Sequence, residues 1–242
     1  MTWYEPTAQA LEVGRTFTRS DLKALLARAH PELNSNSFQW AIGGMLKSGM
    51  LVRVGYDAYL RADGKPLCVY SPDYSERASE LICNVADRFP HVQFTVFETA
   101  LLNEFLNHLI AQNTIFLQVE KDAAIFVFRY LQEGGRRDVL FKPSRKEFSL
   151  YWEKDSVIVT NLISEAPVPK DTPHQICLKK MLVDLYCDKQ ISTTYSKAEY
   201  RSLIAQATAQ YTVDRTRLLR YARRRNKEAE IVSYLKAAEK RE

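Results

Sequence analysis

The sequence predicts an α+β protein: an N-terminal winged helix-turn-helix followed by a mixed α/β domain with a helical C-terminal part. Three observations lead to this fold class. Residues 17–61 show the order helix, helix, hairpin; residues 70–160 mix helical and strand patterns; and the pattern from about residue 175 onward is helical. A chain of 242 residues allows two modest domains. We place them at residues 1–62 and 70–242, around the turn-rich segment 62–66.

Two helices and a hairpin make up the predicted N-terminal unit. Polar residues with short side chains open the second helix, and we expect Ser35 or Ser37 to cap it. The segments that follow alternate around a turn, which is typical of a wing. The helix starts are at 17–22 and 35–37, the strands at 50–54 and 58–61, and the turn at 55–57.

The second domain is predicted as strands mixed with helices, followed by helices only. Short runs of β-branched and aromatic residues indicate strands, and apolar residues at helical spacing indicate helices. Asp214 is positioned to cap the helix that carries a basic run. The predicted helices are 71–89, 98–108, 123–132, a stripe from about 175, and 196–210; the predicted strands are 93–97, 115–119, 139–141, 148–151 and 157–160.

The second helix of the N-terminal unit has an apolar face and a polar face. Asn36, Gln39, Trp40, Gly43 and Lys47 fall on the polar face. Asn and Gln can each donate to and accept from an adenine edge, and Lys can contact guanine or phosphate. Since this helix enters the major groove in helix-turn-helix proteins, the sequence predicts a DNA-binding surface; the alternative is a solvated outer face. The predicted DNA-binding residues are Ser35, Asn36, Ser37, Gln39, Trp40 and Lys47 on the helix and Arg53, Tyr56 and Arg61 on the wing.

A basic run occupies residues 215–227 near the C-terminus. On a helix, Leu218, Leu219 and Ala222 share one face, flanked by Arg215 and Arg225, and the remaining cations spread over the other side. Such a face fits an acidic protein partner or nucleic acid, or a solvated helix neutralised by nearby acids. The residues of this predicted face are Arg217, Arg220, Arg223, Arg224 and Lys227.

Charge and composition limit the class of protein. The net charge is +5, with 34 Lys and Arg against 29 Asp and Glu, which suits an anionic partner but leaves DNA and protein partners open. No apolar run reaches the roughly 18–20 residues that span a bilayer, and no secretory signal is recognisable. Four scattered cysteines form no zinc motif. We therefore expect a cytoplasmic protein with no membrane segment and no bound metal.

The sequence contains none of the common catalytic motifs. There is no phosphate-binding P-loop, no dinucleotide-binding glycine motif, no nucleophile elbow and no H-E-x-x-H. Glu120 and Lys121 have the composition of a nuclease site, but adjacent strand residues point to opposite faces and cannot converge on one metal. We expect a protein that is not an enzyme and needs no cofactor.

Short blocks at both ends of the chain resemble AbiEi-type antitoxins of the type IV (abortive infection) toxin–antitoxin systems. Members usually show Leu-Glu-Lys in the middle block, where this chain has Leu178-Lys179-Lys180 and lacks the acid. The blocks lie at 17–22, 46–53 and 55–59, and at 165–168, 178–185, 211–214 and 218–225.

The resemblance implies a function in phage defence. Such antitoxins bind repeats in their own promoter through the winged helix and repress the operon, and their second domain counters a nucleotidyltransferase-like toxin. In that family the antitoxin is not an enzyme. Two alternatives remain at this stage: a winged-helix transcriptional regulator without a toxin, whose second domain senses a ligand or forms a dimer, and a nuclease whose site is unrecognised.

Overall fold

The computed structural model describes residues 2–13, 15–55, 57–62, 69–106, 109–133 and 138–239. Its N-terminal unit confirms the predicted order of helix, helix and hairpin and adds a short helix and a short strand before them. The three strands form an antiparallel sheet in the order β1-β3-β2. The elements are α1 (Glu5–Gln9), β1 (Thr16–Phe17), α2 (Arg19–Ala29), α3 (Ser35–Lys47), β2 (Leu51–Gly55) and β3 (Ala58–Arg61).

Side-chain and backbone caps define both ends of α3. The Asn34 side chain accepts a hydrogen bond from the Ser37 backbone N–H at 2.8 Å. The prediction that Ser35 or Ser37 caps the helix is therefore wrong, because both lie inside the first turn that Asn34 already caps. At the other end Gly49 adopts a φ of 73°, which a glycine reaches without steric cost, and the chain turns out of the helix into β2.

The second domain is built on a four-stranded sheet in the order β4-β5-β7-β6. Strand β4 pairs antiparallel with β5, whereas β5, β7 and β6 are parallel. The elements are α4 (Glu76–Arg88), β4 (Phe94–Glu98), β5 (Thr114–Val119), α5 (Ala124–Glu133), β6 (Val139–Phe141), α6 (Arg145–Tyr151), β7 (Ser156–Asn161), α7 (Leu178–Cys187), α8 (Tyr200–Gln210), α9 (Arg215–Arg224) and α10 (Glu228–Glu239).

Each face of this sheet is covered by its own apolar core. Strand β5 alternates between the two, since Ile115 and Leu117 lie in the core shared with α4 and α5, while Phe116 lies in the core shared with α7 to α10. A separate core, drawn from residues 4–59, fills the N-terminal unit. The α+β fold class is thus confirmed. No helix in the described ranges has the length and apolar character of a transmembrane span.

In the second domain one predicted element is wrong, and two predicted helices differ from the structure in type or bounds. Residues 148–151 belong to helix α6, because Ser144 and Glu147 form a capping box that starts a helix. Residues 99–104 form a 3-10 helix, and 107–108 lie outside the described residues. Helix α4 starts at Glu76 rather than near residue 71, because Ser75 is its cap.

Candidate nucleic-acid interface

The two faces of α3 are divided as the sequence predicted. Asn36, Gln39 and Gly43 are exposed, and Trp40 keeps 60% of its surface accessible. Neither amide has a hydrogen-bond partner among the residues described, so both are available to a ligand. The opposite face packs into the core through Phe38, Ala41, Ile42 and Met45.

Of the DNA-binding residues predicted on α3, Ser37 and Lys47 are not shown to be exposed. Ser35 is exposed, whereas Ser37 is half-buried and its backbone N–H is already bonded to Asn34. Lys47 is the last residue of the helix, and its side chain lies outside the described part of the chain. The exposed polar side chains that the structure describes on α3 therefore lie in its first two turns.

On the wing, the structure separates the predicted residues. Arg53 is exposed on β2, while Tyr56 falls outside the described residues. Arg61 is half-buried, and its Nη1 donates to the Leu11 carbonyl oxygen at 2.8 Å. Arg61 thus fastens the segment between α1 and β1, which lowers its availability to DNA.

An exposed arginine that the sequence did not single out lies beside the start of α3. The Arg19 guanidinium is 5.4 Å from the centre of the Phe38 ring. Its backbone N–H donates to Asp57 Oδ1 at 2.7 Å, which ties the wing turn to α2. The Arg19 side chain therefore lies near the start of α3, whose N-terminal end favours anions.

The predicted basic face of α9 is exposed, but much of its charge is neutralised within the chain. Asp214 caps the helix as predicted and lies 3.5 Å from Arg217. Arg223 makes two hydrogen bonds to Glu228, at 2.7 and 2.6 Å, and Lys227, which is half-buried, pairs with Glu230. The solvated-helix interpretation thus accounts for part of this face.

Two arginines of α9 remain more available. Arg224 donates from Nε and Nη2 to Ser164 Oγ at 3.0 and 2.7 Å and lies 3.8 Å from Glu165. Arg220 is exposed, with no ion-pair partner in the part of the chain described. Strand β2 of the wing lies beside α9, so this helix adjoins the N-terminal unit.

A buried polar cluster beneath α9 was not predicted. Lys180 and Asp184, one turn apart on α7, are fully buried and form an ion pair. Tyr221 donates to Asp184 Oδ1 at 2.7 Å, and Arg225 Nη1 donates to the same oxygen at 2.8 Å. Burial raises the pKa of Tyr221, which keeps its hydroxyl protonated as the donor. Gln118 of β5 completes the cluster by bonding Lys180 and Asp184.

The cluster joins three elements through one carboxylate. Its sequence signal was the spacing of Lys180 and Asp184, four residues apart within the apolar stripe of α7, where unpaired charges are not tolerated. Tyr221 and Arg225 come from a segment about forty residues later, and nothing local in the sequence links them to α7.

Two acids that could serve a nuclease site, Glu120 and Asp138, make other contacts in this structure. Asp138 forms an ion pair with Arg77. Glu120 lies just beyond β5, where its backbone N–H donates to the Gln93 carbonyl oxygen at 2.9 Å. Across the residues described, no group of three or more His, Cys, Asp or Glu side chains is arranged to hold a metal ion.

Comparison with known proteins gives a family for this chain. Curated proteins give no match in sequence. A crystal structure of the RV2827C protein from Mycobacterium tuberculosis is similar over 97% of this chain and 81% of that chain, at 14% identity and a TM-score of 0.24, which is too low to establish a shared fold. A family of unknown function, DUF6577, matches residues 37–241, from the first turn of α3 to the penultimate residue of the sequence. Because that match spans most of the sequence, the chain belongs to the DUF6577 family.

Proposed function

We propose that this chain is a cytoplasmic DNA-binding autorepressor that binds repeats in its own promoter. One observation carries the proposal: Asn36, Gln39 and Trp40 face solvent on the second helix of a helix-turn-helix that is followed by a wing. In such proteins the second helix places its N-terminal residues against base edges in the major groove. The proposed activity is binding, with no catalytic step and no cofactor.

The start of α3 is also suited to a phosphate. Its first turn contains no acidic residue, so no carboxylate there would neutralise the positive end of the helix dipole or repel a phosphate. Arg19 lies beside that end, and Arg53 is exposed on the wing. These positions would flank a duplex in the groove and supply backbone contacts on either side.

Binding of the chain to duplex DNA from upstream of its gene tests the proposal. We expect affinity to fall steeply between low and moderate salt, because phosphate contacts release counterions. Gln39→Ala should weaken binding by about tenfold, the value of one good base contact. Gln132→Ala is the matched control, since Gln132 is also an exposed glutamine on a helix, α5. Affinity that is independent of salt, or equal in the two variants, would contradict the proposal.

We also propose that residues 70–242 act as the antitoxin against a nucleotidyltransferase-like toxin. The observation that favours this is the buried cluster. Lys180 and Asp184 come from one block that resembles AbiEi-type antitoxins, Tyr221 and Arg225 come from another, and the two blocks meet at one carboxylate. The exposed arginines of α9 lie directly above this junction and would face an acidic partner.

A growth assay tests the antitoxin proposal. The open reading frame adjacent to this gene is expressed from an inducible promoter, with and without the full chain. We expect the neighbour to stop growth and this chain to restore it. A harmless neighbour, or a failure to rescue, would leave the function as a winged-helix regulator without a toxin.

A further inference from the structure

Tyr4, which the sequence analysis did not identify as a site residue, packs against Trp40. Tyr4, at the start of α1, is buried, and its ring centre is 5.4 Å from that of Trp40 with the planes 70° apart. Trp3 extends the arrangement, with its ring 5.7 Å from Tyr4 and 4.4 Å from His30. The exposed indole of Trp40 therefore rests edge-to-face on a buried ring, a favourable aromatic geometry that restricts its rotamers.

Two consecutive glycines make this arrangement possible. A β-carbon on Gly44 would lie 2.7 Å from Tyr4 Cζ, so only a glycine lets the Tyr4 ring reach α3. Gly43, three residues after Trp40 on the same side of the helix, has no atom within 4 Å of where its β-carbon would be. Gly44 thus leaves room for the Tyr4 ring that contacts Trp40, and Gly43 leaves the surface next to Trp40 without a side chain.

The described part of this face carries amides and an indole rather than charges. Asn and Gln side chains match the donor and acceptor pair of adenine, whereas guanine is usually contacted by Arg or Lys. Apolar side chains in the major groove contact the methyl group of thymine. Lys47 comes eleven residues after Asn36 and eight after Gln39, about 16 and 12 Å along the helix axis, so it lies away from the two amides at the start of the helix.

We propose that α3 recognises A·T base pairs, with Trp40 packed on a thymine 5-methyl group while Asn36 and Gln39 bond adenine edges. Tyr4 is the positioning residue that holds the indole in this orientation. This inference rests on the proposed DNA binding and adds the base composition of the half-site. A protein partner is a poorer fit, because it would have to satisfy two amides that flank the indole.

The test begins with selection from a pool of random duplexes of about 20 base pairs, two helical turns, on the full-length chain. We expect the selected duplexes to share A·T pairs at fixed positions. Each thymine at those positions is then replaced by uracil, which removes only the methyl group. The wild-type chain should lose about fourfold in affinity at one such position, the value of one buried methyl group.

The Trp40→Ala variant should bind thymine and uracil duplexes equally, while Gln39→Ala should keep the preference for thymine. Trp40 is largely exposed, so its replacement should lower the thermal unfolding midpoint only slightly, through loss of the edge-to-face contact with Tyr4. Tyr4→Leu should reduce the preference without abolishing binding; if that variant does not fold, the comparison of wild type with Trp40→Ala decides.

The possible failures are distinct. If no duplex is selected, the proposed DNA binding and this inference both fall. If duplexes are selected but the wild type binds uracil and thymine equally, or Trp40→Ala keeps the preference, only this inference is overturned. Selected duplexes dominated by G·C pairs would overturn it as well.

Discussion

Gly43 and Gly44 of α3 are neighbours with opposite surroundings, and they give a stability test at the scale of single residues. Gly43→Ala adds a methyl group in open space and should raise the free energy of unfolding by up to about 1 kcal/mol, because alanine favours the helix. Gly44→Ala should lower it by about 1–3 kcal/mol, because the Tyr4 ring must move. Urea unfolding of the full chain measures both.

The two glycine variants also distinguish the contact between Tyr4 and Trp40 from the open surface beside Trp40. Gly44→Ala should also change the fluorescence of Trp40, since the ring beneath it shifts, whereas Gly43→Ala should leave the emission nearly as it is. Equal destabilisation by the two alanines would mean that Tyr4 does not pack against α3 as the structure shows.

The thiols provide a second residue-scale prediction, on pH. Burial raises the pKa of Cys187 to about 11 and also raises that of Cys177, while Cys83 is exposed. At pH 8 the thiolate fraction of Cys187 should be roughly a hundredfold smaller than that of an unperturbed thiol. In a Cys68→Ser background, we expect Cys83 to react with a thiol reagent first. The rate at Cys187 should rise as pH approaches its pKa; fast labelling of Cys187 at pH 8 would show that α7 is not packed as described.

The outward residues of α3 could be predicted because helical periodicity alone assigns their face, and Asn36, Gln39 and Trp40 are where that periodicity places them. The support from Tyr4 could not. Helix α1 has only five residues, too few for a periodic signal, and its contact with α3 joins positions forty residues apart.

At the scale of helices, Asp184 is the residue on which α7 and α9 depend. Asp184→Asn would leave Lys180 and Arg225 as buried cations without a carboxylate, and we expect a loss of about 3–5 kcal/mol in the free energy of unfolding. Lys180→Met should cost less, because Arg225 and Tyr221 still satisfy the carboxylate. Chemical unfolding followed by far-UV circular dichroism measures the difference.

A surface pair in the same domain is the control for that prediction. Lys227 and Glu230 are also paired close along the sequence, but their side chains keep 43% and 38% of their surface accessible, whereas Lys180 and Asp184 are buried. Glu230→Gln should therefore leave the stability nearly unchanged. If Asp184→Asn is no more destabilising than Glu230→Gln, the cluster is not buried and α9 is held by its apolar face alone.

Sequence patterns predicted the central strands of the sheet correctly, but they did not predict where α4 and α6 begin. Strands β5 and β7 were predicted because their short apolar runs are rich in β-branched and aromatic residues, which favours a strand over a helix at that length. Helix α4 starts late because Glu98, more than twenty residues away, accepts hydrogen bonds from the Ser75 backbone N–H and hydroxyl at 2.6 and 2.7 Å. Residues 148–151 were predicted as a strand, although the spacing of Ser144 and Glu147 is a capping-box signature that indicates a helix start.

At the scale of the whole molecule, the wing and the basic helix adjoin. Strand β2 is at the edge of its sheet and lies beside α9, although nearly 160 residues separate them in the sequence. The basic run and the wing were predicted as separate features of two domains, and their adjacency required the tertiary structure. If α3 binds a duplex as proposed, this adjacency would give the DNA a second source of phosphate contacts.

Arg220 and Arg223 decide whether α9 is used in this way. Both are exposed on the same helix. Arg223 forms an ion pair with Glu228, whereas Arg220 has no ion-pair partner within the described ranges. If DNA reaches α9, Arg220→Ala should reduce the slope of log affinity against log salt by about 1, the value of one phosphate contact, and Arg223→Ala should change it less. Titrations of promoter DNA at several salt concentrations measure both slopes.

The same two variants separate DNA contact from toxin contact. If Arg220→Ala keeps the wild-type salt slope but fails to rescue growth against the neighbouring gene, α9 faces the toxin, and DNA is bound by the N-terminal unit alone. Loss of slope with intact rescue assigns α9 to DNA. Because Arg225 and the buried cluster beneath it hold the helix in place, replacing an exposed arginine changes the surface charge without moving α9, and either result can be attributed to that charge.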